Sequence, residues 1–296
     1  MRLVTFAVGK KTSIGVLDAD KGYVVDLVRA ARAPADMIDF IALGNKGLAL
    51  ARAALKKAPK NACVPIKKAR LLAPIPRPRR NVFCVGLNYQ DHVREFQKSG
   101  FDASGKSNAP EYPVFFTKMP SSVIGPGAVV SGHLDPTHSV DYEIELAVVI
   151  GRGGRDIKKA NAFKHVYGYT IVNDVTSRIQ QKQYGQWFLG KSLDGFCPMG
   201  PWLVTADAIK DVTKLGLETR INGELRQSNV VGDLLFDIPT LIETLSAGRT
   251  IEAGDVIATG TPTGVGIGFK PPKFLKKGDV MTLTIDNLGT LENKIG

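Results

Sequence analysis

Several features are scarce or missing in this chain, and each absence closes off a class of function. No apolar stretch approaches the roughly 20 residues of a membrane-spanning helix, so none is expected. The first residues, Met-Arg-Leu-Val-Thr-Phe-Ala-Val-Gly-Lys-Lys, lack the long apolar core and cleavage site of a secretory signal and read as a first strand. Only three cysteines occur in 296 residues, Cys63, Cys84 and Cys197, far apart and without a Cys-x-x-Cys. That argues against a disulfide framework or a zinc site, suits a reducing cytoplasm, and leaves each thiol as a small buried hydrophobe. Neither Gly-rich run, 259–268 or 151–155, fits the phosphate-binding patterns G-x-x-x-x-G-K-[ST] and G-x-G-x-x-G, and the G-x-S-x-G elbow of a serine hydrolase is missing.

What is present is ordinary for a globular protein: 44% hydrophobic and 23% charged residues, on a chain long enough to bury a large core. The net charge of +11 favours anionic partners, either nucleic acid or small carboxylates. The basic residues, however, are scattered or paired (Lys10-Lys11, Lys56-Lys57, Lys67-Lys68, Arg79-Arg80, Lys276-Lys277), with no basic helix and no aromatic-interleaved basic stripe. A solvated surface is expected, with no nucleic-acid partner.

Residues 1–30 read as short strands (3–8, 13–17, 23–26) separated by Gly and Lys turns. Residues 35–57 show helical spacing, interrupted near Gly44-Asn-Lys-Gly47. Ala73-Pro-Ile-Pro-Arg-Pro-Arg-Arg80 carries three prolines in five residues, which forbids helix and central strand alike. The expected organisation is a small N-terminal α+β domain (1–72), a Pro-rich linker (73–80) and a main domain (81–296). In the main domain, strands are expected over 81–85, 114–117, 128–130, 142–150, 166–172, 256–259 and 280–285. Helices are expected at 176–184 and 238–247, and a polar, Gly-containing lid over about 90–112 with a short helical start. The fold class is α+β, dominated by β-structure.

Three carboxylates are the most informative residues. In Asp141-Tyr-Glu-Ile-Glu-Leu-Ala-Val-Val-Ile-Gly, alternation gives way to a solid apolar run, as in a strand entering a core. Side chains two apart share a strand face, so Glu143 and Glu145 point the same way. Two like charges at a buried strand mouth are costly, and a divalent cation relieves them; oxygen-only ligands select a hard ion such as Mg²⁺, Mn²⁺ or Ca²⁺. A second apolar strand ends on Asp174. His92 and Glu95, three apart at the start of the lid, would meet on a helix face, where a carboxylate on one imidazole nitrogen raises the basicity of the other. Asp174 and Arg178, four apart, would put an acid beside a guanidinium able to grip a substrate carboxylate by two hydrogen bonds. Lys191 follows the apolar Trp187-Phe-Leu189 and could meet a developing oxyanion. The Gly-rich run 259–268 suggests close backbone approach to a small ligand, with Thr261 donating a hydrogen bond.

Taken in order, these segments resemble the fumarylacetoacetate hydrolase superfamily over about residues 70–296. The matching pieces are Gly-Leu-Asn-Tyr-x-x-His-x-x-Glu (86–95), Phe-Phe-Thr-Lys-Met-Pro-Ser-Ser (115–122), Asp-Tyr-Glu-x-Glu-Leu-Ala-Val-Val-Ile-Gly (141–151) and Gly-Tyr-Thr-Ile-x-Asn-Asp (168–174). Gly-Lys-Ser-x-Asp-x-Phe-Cys-Pro-x-Gly-Pro (190–201) and Thr-Gly-Thr-Pro-x-Gly-Val-Gly (259–266) complete the set. Residues 1–70 also look like the extra domain of bacterial members. The resemblance implies a mixed β-roll catalytic domain, usually in a homodimer, with Mg²⁺ or Mn²⁺ on Glu143, Glu145 and Asp174. It also implies a His92–Glu95 catalytic dyad on the lid, Lys191 as a catalytic contact, and Arg178, Gln181 and Thr261 as substrate contacts. The substrates it implies are 2-oxo and 2,4-dioxo acids. The first expectation is hydrolysis of a carbon–carbon bond in an acylpyruvate or fumarylpyruvate, with His92 activating water. The alternative on the same metal site needs no attacking water: oxaloacetate-type decarboxylation, or isomerisation or hydration of a 2-hydroxydienoate in aromatic degradation. A silent basic binding protein is the remote third.

Overall fold

The structure is a computed structural model and describes residues 1–101 and 109–296. Its main sheet is mixed. In spatial order the strands are Cys63–Pro65, Tyr23–Asp26, Lys11–Asp18, Arg2–Val8, Cys197–Thr205, Val166–Asn173, Ile144–Ile150, Val256–Ala258, Val82–Gly86 and Val114–Lys118. Neighbours run antiparallel except Val256–Ala258 against Val82–Gly86. A five-stranded sheet (Glu224–Val230, Gly216–Ile221, Val280–Ile285, Gly289–Ile295, Val129–Val130) packs against it. The expected α+β, β-dominated architecture is the one that forms.

The strand Ile144–Ile150 shows why the sequence there is solidly apolar: it is buried on both faces. Ile144, Leu146, Val148 and Ile150 join Met281, Leu283 and Leu291 of the second sheet and Leu241, Ile242 and Leu245 of the helix Ile238–Ser246 in one core. Ala147 and Val149 face a second core with Leu3, Met37, Phe40 and Leu203. Glu145 belongs by parity to this second face but lies at the strand's mouth, where the neighbouring strand also ends. Ile144 is opposite Asn173, and the Asp174 N–H donates to the Glu143 carbonyl at 2.9 Å.

The strands within residues 1–72, the expected N-terminal domain, lie on this same sheet through the pairing of Arg2–Val8 with Cys197–Thr205. The expected helical stretch 35–57 splits into Met37–Ala42 and Asn45–Lys57, with Gly44 between them at φ 53. The expected strand 142–150 is also divided: Val140–Asp141 pairs with Thr176–Ser177, and Tyr142 and Glu143 lie in the gap before Ile144. The expected helix 176–184 accordingly begins later, as Arg178–Gln183. The lid's helical start is the helix Gln90–Lys98, while residues 102–108 of the expected lid lie outside the described residues. No helix among the described residues is long and apolar enough to cross a membrane.

Candidate active site

Because the two central strands end together, Glu143, Glu145 and Asp174 each bring one carboxylate oxygen within 4.8 Å of the others. All three side chains are buried. Their neutralisation is uneven. Lys191 Nζ donates to Glu143 Oε2 at 2.7 Å and to Asp174 Oδ2 at 2.6 Å, and Lys118 Nζ donates to Asp174 Oδ1 at 2.6 Å and to the Val175 carbonyl at 2.9 Å. Burial alone would raise the Glu143 carboxyl, but the Lys191 ammonium and then the Arg178 guanidinium hold it well below the usual carboxylate range. Among the described residues, Glu145 accepts a hydrogen bond only from the Gly260 N–H, at 2.8 Å. Burial pushes its carboxyl up, and the charges of Asp174 and Glu143 push it further.

With Asp141, which pairs with Arg178, four buried carboxylates face three buried cations, Lys118, Arg178 and Lys191. The cluster is one positive charge short, and the shortfall falls on Glu145. Oxygen ligands at this spacing fit a hard divalent ion. Such an ion would turn the deficit into a single excess positive charge, which suits the carboxylate of a 2-oxo acid. Glu143→Gln should therefore weaken Mn²⁺ binding by at least about 10–100-fold, the scale seen for partners one shell further out. Calorimetric titration reads this, and undiminished affinity would remove Glu143 from the ligand set.

The dyad forms on the helix Gln90–Lys98, with His92 Nδ1 3.0 Å from Glu95 Oε2. The Gly-rich turn supports it from outside. The Gly264 N–H donates to Glu95 Oε1 at 2.8 Å, four residues after the Gly260 N–H that holds Glu145. Further along, the Gly266 and Ile267 N–H groups donate to Asp141 at 2.6 and 3.1 Å. One turn thus supplies backbone donors to three functional carboxylates, which is the close backbone approach its glycines allow. Asn88 ties the turn's start to the segment after the strand Val82–Gly86, donating to the Thr259 carbonyl at 2.8 Å.

His92, Glu143, Glu145, Arg178, Gln181, Lys191 and Thr261 line one cavity with Leu87, Phe96, Phe116 and Trp187. Its free volume is about 20 Å³, room for an ion or a water and too little for an oxo acid. Phe96 and Phe116 meet the Trp187 ring edge-on at centroid distances of 6.1 and 5.3 Å and form the apolar side of the cavity.

The structure thus gathers the sequence-derived candidates into one place, with one correction. Arg178 does not pair with Asp174 and does not present a free fork. Its Nε donates to Asp141 at 2.8 Å, its Nη1 donates to Gln181 Oε1 at 3.2 Å, and its Nη2 lies 2.7 Å from Glu143 Oε1, off the line of a good hydrogen bond. A guanidinium this deeply buried requires carboxylates of its own, and Asp141 and Glu143 are those carboxylates. Thr261 Oγ1 accepts from Gln227 Nε2 at 2.8 Å, which leaves its hydroxyl proton for the cavity. Two residues that the motifs contain received no role from sequence reasoning. Asp141 shares the i, i+2, i+4 parity of Glu143 and Glu145, and that was its available signal. Lys118 ends an apolar strand exactly as an exposed lysine would, and nothing in the sequence marks it as fully buried.

Comparison with known proteins agrees with this geometry. Residues 81–296 match the family model described as fumarylacetoacetate (FAA) hydrolase C-terminal. Oxaloacetate tautomerase YisK of Bacillus subtilis is 46% identical across the whole of both chains. The mitochondrial oxaloacetate tautomerase Fahd2a of Rattus norvegicus is 40% identical over all of this chain and 91% of its own. Among solved structures, maleylpyruvate hydrolase from Sphingobium, in complex with manganese(II) and pyruvate, is 30% identical with a TM-score of 0.78. That match covers 100% of this chain and 98% of the hydrolase.

Proposed function

The chain belongs to the fumarylacetoacetate hydrolase family, and on that premise we propose that it interconverts the keto and enol forms of oxaloacetate, with Mg²⁺ or Mn²⁺ on Glu143, Glu145 and Asp174. The observation that carries the proposal is His92, paired with Glu95, lining the same cavity as Glu143 and Glu145 of a carboxylate cluster that lacks one positive charge. When bound, the ion supplies Lewis-acid stabilisation of negative charge on the 2-oxo acid. His92, its Nδ1–H donated to Glu95, has Nε2 as a base for a proton at C3; returning that proton to the C2 oxygen completes the shift from keto to enol. Lys191 uses two of its three N–H donors on Glu143 and Asp174, which leaves one for an oxygen gaining charge. Gln181 gives its carbonyl to Arg178 and keeps its NH₂ for the substrate. Phe96 and Trp187 give the cavity an apolar wall, which limits water around an enolate.

This changes the order of the two readings drawn from the motifs. Enolate chemistry without an attacking water moves ahead of carbon–carbon hydrolysis, because relatives matched over the whole chain are oxaloacetate tautomerases. Neither reading had named tautomerisation itself. Hydrolysis of an acylpyruvate stays as the second reading, supported by a dyad equally able to activate water and by the likeness to maleylpyruvate hydrolase. The deciding assay follows the ultraviolet absorbance of enol-oxaloacetate with Mn²⁺, Mg²⁺ or chelator, alongside product analysis on acylpyruvates. Metal-dependent relaxation of the enol band without release of pyruvate is expected. Pyruvate release from an acylpyruvate, with no effect on the enol band, would overturn the proposal in favour of the hydrolase.

A further inference from the structure

We propose that Gly268 is a positioning residue: the lack of a side chain there is what allows Glu95 to stand against His92. The inference rests on the dyad reading above and extends it to a residue outside the cavity. Gly268 ends the short 3₁₀ turn Gly266–Gly268, and its N–H donates to the Val265 carbonyl at 3.0 Å. Its backbone is not in the left-handed region, unlike Gly260 and Gly264 of the same run, so any residue could adopt its conformation. What excludes a side chain is space. A Cβ at 268 would overlap Glu95 Oε1 and lie 2.5 Å from its Cδ and 2.8 Å from its Cγ.

The atoms in the way are the far end of a side chain, but both oxygens of that carboxylate are engaged. One carboxylate oxygen faces His92 Nδ1 at 3.0 Å and the other accepts from the Gly264 N–H at 2.8 Å. Moving away from 268 breaks one or both contacts. Gly264 is tied on its other side, its carbonyl accepting from the Tyr142 hydroxyl at 2.9 Å. A single methyl at 268 therefore acts on His92 through Glu95, without altering any cavity-lining or metal-site residue.

The test is Gly268→Ala, made alone and in a Glu95→Ala background, assayed in the Mn²⁺-loaded enzyme. Alone, it should lower kcat by about 10²-fold, the scale of a 1 Å misplacement of a catalytic group. KM and Mn²⁺ affinity should be retained. In the Glu95→Ala background, where truncation vacates the space, the same change should cost nothing further. Unchanged kcat, or an equal loss in both backgrounds, overturns the proposal. If Gly268→Ala lowers the folded yield, the pair still decides. Restoration by Glu95→Ala supports Glu95 as the group the methyl meets, and no restoration refutes it. His92→Ala separates this inference from its premise: if that variant keeps full turnover the dyad reading fails, whereas a large loss there beside an active Gly268→Ala refutes only the role of Gly268.

Discussion

Turnover of oxaloacetate by His92→Ala should fall by roughly 10²–10⁴-fold, the usual contribution of a positioned general base. Mn²⁺ binding should survive, because the imidazole shares the cavity with Glu143 and Glu145 but is not in the group of Glu143, Glu145 and Asp174 that would hold the ion. Glu95→Gln should cost less, since an amide oxygen can still accept from Nδ1–H but carries no charge to raise basicity at Nε2. Stopped-flow decay of the enol band, paired with metal titration, separates the two effects. A His92→Ala enzyme that keeps its turnover would mean that the proton moves by another route, and the mechanism above would be abandoned.

The second large effect is on folding. Arg178→Met should destabilise the protein by about 3–5 kcal/mol, the cost of stripping one partner from a buried ion pair. The guanidinium is 1% exposed, and both Asp141 and Glu143 depend on it. Removing it leaves the cluster two positive charges short. Denaturant unfolding of the metal-free protein measures this directly. Arg94→Met, whose partner Asp91 is exposed in a solvent-facing pair, should leave the midpoint unchanged and serves as the control. A loss under 1 kcal/mol for Arg178→Met would mean that the cavity admits enough water to screen its charges.

These two residues also mark how much of the site the sequence discloses. His92 and Glu95 were legible because helix geometry fixes what three residues apart means, and Glu143 and Glu145 because strand parity does. Arg178 was misread because local spacing pointed to Asp174, four residues away, whereas its partner Asp141 comes from a strand 37 residues earlier. Such a pairing is decided by which strands end together, and no local pattern encodes that. The same holds for Lys118, which reaches Asp174 across 56 residues. In the fold, strands with clean apolar runs were readable. Cys197–Thr205 was not, because Pro198, Gly200 and Pro201 argue against a central strand. The structure accommodates Pro201 where the register with Val166–Asn173 shifts, between the pairs Tyr169–Val204 and Ile171–Gly200.

That same strand gives the N-terminal residues a significance their separation by a proline-rich segment conceals. Arg2–Val8 borders it, and Leu3, Met37 and Phe40 share one core with Tyr167, Met199 and Leu203. A fragment trimmed to residues 81–296, the span of the family model, would carry Cys197–Thr205 as a raw border with open backbone donors and an uncovered apolar face. Such a border invites strand addition from another molecule. The first eighty residues thus act as a flashing sealed along a cut seam, and a fragment without them is expected to self-associate.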